Sequence, residues 1–219
     1  MTGLILHAYD ASPFTQRALR ILGIKDLDWR WVETPMTPPK DDLLALTGGY
    51  RGTPVLQIGG DVYIDSQLIA LELERRHPEP SLFPARNVGI ALALVKWSDA
   101  FFRSGLKILL AMCSDSWPEE FRKDREFLFP DIDFARVGGE LSHARAQFRA
   151  HAWLLEQQLA DGRAFLGGAV SHAFFCPRAR EGSGLARLDV AAGRSACSRA
   201  RALTHTSHEA GILIDATKN

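Results

Sequence analysis

The first third of the chain alternates short apolar runs with stretches whose apolar residues recur at helical spacing. A run from Leu4 has the content of a buried strand, and Ser12-Pro13 then opens a segment of helical periodicity. The paired glycines Gly59 and Gly60 separate two strand-like runs and indicate a hairpin. The pattern predicts the order βαβαββα, formed by LILHAY, FTQRALRILG, WRWVET, DLLALTGG, TPVLQIGG, DVYID and SQLIALELERRH.

After the proline-rich HPEPSLFPA the periodicity becomes helical only. The stretch VGIALALVKWSDAFFRSGLKILLAM predicts one long amphipathic helix or two shorter ones, and HARAQFRAHAWLLEQQLADG predicts another. In the second stretch the predicted core contacts are Phe148, Trp153, Leu154, Leu155 and Leu159. The fold class is therefore an α/β N-terminal domain followed by an all-α C-terminal domain.

The predicted domains are residues 1–80, a linker over 81–85, and a helical domain over 86–169. Residues 170–219 are rich in Arg, Ala, Ser and Gly and have no sustained helical stripe. We expect either a reading frame that shifts near Ala169, which leaves an atypical or disordered tail, or a divergent but genuine C-terminus.

Composition narrows the class of protein. The 219 residues are 46% hydrophobic, and 26 Lys and Arg balance 26 Asp and Glu, so no net field favours nucleic acid or an anionic membrane. The N-terminus lacks the features of a signal peptide, and no run is apolar for the length of a membrane span. The three cysteines are far apart and predict neither a disulfide framework nor a CxxC pair. A cytoplasmic location fits these features best.

Several spaced motifs together resemble the soluble glutathione transferases. They are S-P-F at the first helix start, T-P-V-L before the hairpin, and D-S at the last helix start, all followed by a helical domain. The resemblance covers Leu4 to about Gly168. It implies a thioredoxin-like N-terminal domain that binds glutathione as co-substrate, a typical C-terminal domain, and a homodimer.

Ser12 has two interpretations. A serine before proline is an ordinary helix N-cap. In the family that the chain resembles, the residue at this junction contacts the sulfur of glutathione, and Ser12 matches the serine type. A hydroxyl donor and the positive end of a helix both stabilise a thiolate, which lowers the thiol pKa. Tyr9 is the rival, since its phenol can do the same, or it is a core aromatic at a strand end. We favour Ser12 as the catalytic residue.

The resemblance also implies the residues that bind glutathione, in the first domain. Thr53, before a cis Pro54, offers its backbone N–H and C=O to the cysteinyl unit, whereas an isolated Thr-Pro pair is simply an edge strand start. Asp65 and Ser66 hold the γ-glutamyl ammonium and carboxylate at a helix N-terminus, where Asp65 alone is an ordinary N-cap. Phe14, from the S-P-F motif, completes the set.

The chain departs from the family at Gly52, where some serine-type transferases carry a lysine. Glycine has no side chain for a carboxylate, so Arg51 and Arg17 are the candidates for the glycyl end, with a solvated surface charge as the alternative for both.

Three aromatic residues are the candidate pocket for a small hydrophobic electrophile: Tyr9, Trp97 and Phe101, the last two with core packing as the alternative. No histidine spacing indicates a metal site. The predicted function is a glutathione transferase whose thiolate attacks that electrophile. The alternative is a transferase-fold protein that binds partners without turnover. A dithiol oxidoreductase is disfavoured because neither Ser12 nor Thr15 is cysteine.

Overall fold

The structure is a computed structural model, and it describes residues 3–83, 86–163 and 166. The chain divides between Asn87 and Val88 into two compact units, an α/β unit and a helical unit, which are described separately. The predicted tail over 170–219 lies outside the described residues. No helix in the described ranges is long and apolar enough to cross a bilayer.

The α/β unit has the predicted order of elements. Its strands and helices are β1 Leu4–Ala8, α1 Pro13–Ile24, β2 Trp29–Glu33, α2 Asp41–Thr47, β3 Val55–Ile58, β4 Asp61–Ile64 and α3 Ser66–Arg76. This is the thioredoxin-like arrangement of strands and helices that the sequence predicted.

One mixed sheet forms the centre of this unit, in the order β2-β1-β3-β4. β1 pairs parallel with β2, placing Leu6 opposite Trp31, and antiparallel with β3, placing Leu6 opposite Leu56. β3 and β4 form the predicted hairpin, and Gly59 adopts a φ of 63° in its turn. Leu6 and Leu56 are fully buried, so the two central strands form the core.

The C-terminal end of α2 follows from its sequence. Gly48 ends α2 with a φ of 68°, the left-handed conformation that glycine adopts at low cost.

α1 packs against α3, and a buried Lys25 after α1 forms an ion pair with Glu74 of α3. Lys25 Nζ also donates to the carbonyls of His77 and Pro80. These bonds join the C-terminal end of α1 to the segment that follows α3.

α3 buries fewer of its apolar residues than its pattern suggests. Ile69 and Leu73 are fully buried, whereas Leu68 is 47% exposed and Leu71 is 38% exposed. Positions 69 and 73 are four residues apart and share one face of a helix, whereas 68 and 71 share another. The buried face is thus narrower than the apolar pattern.

The helical unit is built from α4 Val88–Cys113, α5 Glu119–Leu128 and α6 Leu141–Leu159. α4 is one continuous helix, which decides between the two predicted alternatives. α5 was not predicted, because its sequence EEFRKDREFL is mostly charged. It is supported by ion pairs one helical turn apart, such as the half-buried pair of Arg122 with Glu126.

The core of the helical unit differs from the predicted one. Leu106 and Leu110 of α4 pack with Ile132, Phe134 and Val137 from the connection to α6. α6 packs against α4, with Leu155 of α6 buried and Phe148 and Leu159 half-buried. Trp153 and Leu154 are 57% and 48% exposed, so the prediction that they are core contacts is wrong. Leu155 occupies the buried face, and its two predecessors point away from it.

Cys113 at the end of α4 is buried.

Candidate functional site

The start of α1 holds Ser12 in a defined geometry. Ser12 is the N-cap, with extended backbone, and its Oγ accepts a hydrogen bond of 3.3 Å from the backbone N–H of Thr15. Its own N–H donates to the Tyr9 carbonyl at 3.2 Å. Only 2% of Ser12 is exposed. Because a hydroxyl accepts and donates at the same time, the capping bond leaves the hydroxyl hydrogen of Ser12 for another acceptor.

The start of α3 is a second helix N-terminus on the same unit. Asp65 is its N-cap, and its Oδ1 accepts from the N–H groups of Gln67 at 2.6 Å and Leu68 at 3.3 Å. The φ of Asp65 is 75°, which is unusual for a residue other than glycine. Asp65 is exposed and Ser66 is buried. The carboxylate is therefore held at the surface, where it accepts from two N–H groups of the first turn of α3.

Arg17 connects these two helix starts. Its Nη1 donates to the Ser66 Oγ at 3.3 Å, and its guanidinium lies 5.8 Å from the centre of the Phe14 ring. Arg17 is 4% exposed and Ser66 is 6% exposed. The prediction left Arg17 as either a surface charge or a carboxylate ligand, and its burial excludes the surface charge. The guanidinium of Arg17 therefore places its positive charge beside the Ser66 hydroxyl.

Thr53 and Pro54 lie between α2 and β3. Their peptide bond is cis, as the resemblance implies, and Thr53 is half-buried while Pro54 is buried. Val55 is the first paired residue of β3, and only Pro54 separates Thr53 from it. Its backbone therefore lies at the end of a central strand of the sheet.

Lys40 is a residue that the sequence interpretation missed. It is 8% exposed, its Nζ donates to the Arg51 carbonyl at 3.3 Å, and it lies 5.4 Å from the centre of the Tyr9 ring. A cation is thus held close to both Tyr9 and the peptide between Arg51 and Gly52. Its signal in the sequence is weak, since Lys40 stands at the end of a proline-rich loop where charges are common.

Tyr50 is a second residue that was missed. Burial raises the pKa of its phenol, and the negative charge of Asp65 raises it further. The ring lies over the Cα of Gly52, close enough that a methyl group on Gly52 would be 2.9 Å from Cε1 and closer to Cζ and Oη. The space that a side chain of residue 52 would fill is therefore occupied by the Tyr50 phenol.

The aromatic candidates of the helical unit pack among themselves. The Trp97 and Phe101 rings are 5.9 Å apart, and Phe101 is 4.8 Å from Phe148 of α6. His151 lies 5.8 Å from Trp97 and 5.6 Å from Phe101. All four side chains are half-buried. The prediction named Trp97 and Phe101 as pocket candidates and Phe148 as a core contact. It missed His151, which lies against Trp97 and Phe101 from α6.

Metal binding finds no support in the described ranges, where no group of three His, Cys, Asp or Glu side chains is placed to hold an ion.

Residues 6–81 match the family model of the glutathione S-transferase N-terminal domain. Among solved structures, a GST-like protein from Pseudomonas syringae is 36% identical, with a TM-score of 0.58, over 80% of this chain and 55% of that one. This chain thus spans little more than half the length of that relative. Comparison with curated proteins gave no match.

Two more distant structures show the fold. The beta-etherase LigF from Sphingobium sp. strain SYK-6 is 20% identical with a TM-score of 0.64, covering 92% of this chain and 96% of its own. A glutathione S-transferase from Methylobacillus flagellatus KT, solved with glutathione bound, is 18% identical with a TM-score of 0.56, covering 78% of this chain and 77% of its own. At these identities the two matches show the fold alone, whereas the family model covers residues 6–81 of this chain.

Proposed function

We propose that this chain is a glutathione transferase-like enzyme of the serine type, which binds glutathione on the α/β unit and stabilises its thiolate for attack on a hydrophobic electrophile. The observation that carries the proposal is the hydrogen bond from Arg17 of α1 to Ser66 of α3. This bond fixes the start of α1 relative to the start of α3. The start of α1 would contact the sulfur, and the start of α3 would contact the γ-glutamyl carboxylate.

The γ-glutamyl end of glutathione binds at the start of α3. Its carboxylate accepts from the Ser66 hydroxyl and from backbone N–H groups, where the helix dipole favours a negative charge. The buried Arg17 adds a full positive charge beside Ser66. The ammonium faces the exposed carboxylate of Asp65. Both charged groups of this end therefore meet groups of opposite charge.

The cysteinyl unit pairs with the backbone of Thr53 as a short added strand, beside the Phe14 end of α1. Its sulfur then faces Ser12. The hydroxyl of Ser12 donates to the thiolate while its oxygen stays bonded to the Thr15 N–H, and the start of α1 contributes its positive end. A shift of two units in the thiol pKa requires about 2.7 kcal/mol, within reach of one charge-assisted hydrogen bond and a helix N-terminus.

In the reaction the thiol proton is lost to solvent and the thiolate sulfur forms a bond to the electrophilic atom. The electron pair moves onto a leaving group or into the electrophile. Serine forms no covalent bond. Trp97 and Phe101 are our candidates for contacting the electrophile, and we expect the protein to be a cytoplasmic homodimer.

Titration calorimetry with glutathione, followed by ultraviolet titration of the bound thiol, tests the proposal. We expect saturable binding and a thiol pKa below the free value of about 8.5. Binding with an unshifted pKa would show that the site holds glutathione without activating its thiol. Absence of saturable glutathione binding would overturn the proposed function and support the alternative, a transferase-fold protein that binds partners without turnover.

A further inference from the structure

Tyr50 has a fixed place in the turn that leads from α2 towards β3. Its carbonyl accepts a hydrogen bond of 2.6 Å from Thr47 Oγ1, and Gly48 and Gly49 before it both adopt positive φ angles. The side chain folds back over Gly52, two residues later, while 40% of the residue stays exposed. The phenol therefore lies at the surface of the site.

The proposed pairing of glutathione sets which end of the ligand reaches this phenol. One residue exchanges both its N–H and its C=O with a single partner residue only in an antiparallel pair. If the cysteinyl unit pairs with Thr53 in this way, the ligand's next residue lies beside the residue that precedes Thr53. That ligand residue is the glycyl unit, and the protein residue beside it is Gly52.

The surroundings of Gly52 suit a carboxylate. The Lys40 ammonium is held 3.3 Å from the carbonyl of the neighbouring Arg51, so a positive charge lies close to this peptide. A phenol with the ordinary pKa of 10 is already protonated at neutral pH, and burial and the negative charge of Asp65 raise the pKa of Tyr50 further, so its hydroxyl is a donor. A cation and a neutral donor thus flank the backbone at the position where the glycyl end arrives.

We infer that the Tyr50 hydroxyl donates a hydrogen bond to the glycyl carboxylate of glutathione, and so takes the role that a side chain at position 52 cannot. The inference rests on the proposed function, because it uses the proposed orientation of the ligand. It makes Tyr50 a specificity-determining residue, which favours the tripeptide over the dipeptide γ-glutamylcysteine.

Calorimetry with two ligands and matched variants tests this role. Tyr50→Phe removes only the hydroxyl, and we expect it to weaken glutathione binding about tenfold, the factor that corresponds to roughly 1.5 kcal/mol for a hydrogen bond to a charged group. Affinity for γ-glutamylcysteine, which lacks the glycyl unit, is expected to stay the same. Gly52→Ala displaces the phenol and is expected to give the same selective loss.

Tyr63→Phe is the control, since it makes the same chemical change at a different phenol. The Tyr63 hydroxyl on β4 donates a hydrogen bond to Glu72 of α3. Tyr63→Phe is expected to alter neither affinity. Equal losses for the two ligands in Tyr50→Phe, or no loss for either, would overturn the role of Tyr50 while the proposed function stands. If the unaltered protein binds neither ligand, the proposed function falls and the role of Tyr50 falls with it.

Discussion

The guanidinium of Arg17 donates to the hydroxyl of Ser66 across 3.3 Å, and both residues are almost fully removed from solvent. The two are 49 positions apart, so only the packing of α1 against α3 brings them together. A buried charge needs a partner, and here the partner is a residue that we propose as a ligand-binding group. The stability of the α/β unit and the proposed binding of glutathione would therefore be linked at Ser66.

The first prediction concerns this link. Ser66→Ala removes a hydrogen bond to the ligand carboxylate and is expected to weaken glutathione binding about 10- to 150-fold, as for a loss of roughly 1.5–3 kcal/mol. The sequence alone suggested little change in thermal stability, because Asp65 still caps α3. Since Arg17 also loses the Ser66 hydroxyl as an acceptor, we expect the free energy of unfolding to fall by about 1–3 kcal/mol. Calorimetric binding and thermal unfolding of Ser66→Ala measure the two effects.

Ser66→Thr is the matched control for that variant, because it keeps a hydroxyl at the same position. Restored stability in Ser66→Thr would show that the acceptor of Arg17 is what matters. Unchanged glutathione affinity in Ser66→Ala would remove the residue from the binding site.

The second prediction separates Ser12 as a cap from Ser12 as a thiolate donor. As a cap alone, Ser12→Ala costs about 1 kcal/mol of stability and leaves the bound thiol unchanged. As a donor, the same change raises the pKa of bound glutathione towards the free value and lowers turnover at neutral pH, with binding within a few-fold of the original. The pH–rate profile then moves to higher pH.

Ultraviolet titration of the bound thiol in Ser12→Ala and Tyr9→Phe distinguishes the two candidates. An unchanged thiol pKa in Ser12→Ala together with a raised one in Tyr9→Phe would transfer the role to Tyr9. If neither variant shifts the pKa, the helix start and backbone are sufficient by themselves.

The third prediction concerns the ion pair between Lys25 and Glu74. Burial opposes the charge on Glu74, but hydrogen bonds from the Leu82 N–H, Lys25 and Ser81 outweigh it, and its pKa is lowered from the ordinary 4.5. Glu74→Gln leaves the buried Lys25 ammonium without its counter-charge, so we expect a loss of about 3–5 kcal/mol in urea unfolding. Glu33→Gln is the matched control, because Glu33 is exposed and accepts from Trp31 a bond that glutamine still accepts.

The same pair gives the pH dependence its sign. A folded-state pKa below the unfolded one makes the charged form of Glu74 stabilising above pH 4.5, and this contribution is lost as the pH falls through the lowered value. Stability of the unaltered protein is thus expected to fall more steeply below pH 4.5 than that of Glu74→Gln. Parallel acid-unfolding curves for the two proteins would contradict this assignment.

The fourth prediction uses two neighbouring leucines of α6. Leu155 is 2% exposed and Leu154 is 48% exposed, although both were expected in the core. Leu155→Ala removes a buried side chain and is expected to cost about 2–5 kcal/mol, whereas Leu154→Ala is expected to stay within about 1 kcal/mol of the original. Denaturant midpoints measure both. Equal costs would mean that the face with Trp153 and Leu154 is covered in solution.

That face also bears on solubility. If the helices that the resemblance implies after residue 169 are absent, Leu106, Leu110 and Trp153 are candidates for exposure, but the two leucines are buried in the cluster with Ile132 and Phe134. Trp153 alone among these three is exposed, at 57%. The burial of the two leucines of α4 therefore leaves Trp153 of α6 as the exposed member of the three.

The sequence by itself determined the order of elements in the α/β unit. Strand-like and helical periodicities, the paired glycines at 59–60 and the proline-rich segment before Val88 each act over a few residues, so local preference decides them. The helix caps at Ser12 and Asp65 were also local, because a cap bonds to N–H groups two or three positions along the chain.

The tertiary structure decided which of these residues meet. The burial of Arg17 against Ser66, the Lys40 cation beside Tyr9 and the Tyr50 phenol over Gly52 all depend on how loops and helices pack on the sheet. Arg, Lys and Tyr are common at surfaces, so their types alone do not distinguish a solvated side chain from one held in a site. The contacts that fix them lie up to 49 positions away, and no local pattern records a contact at that separation.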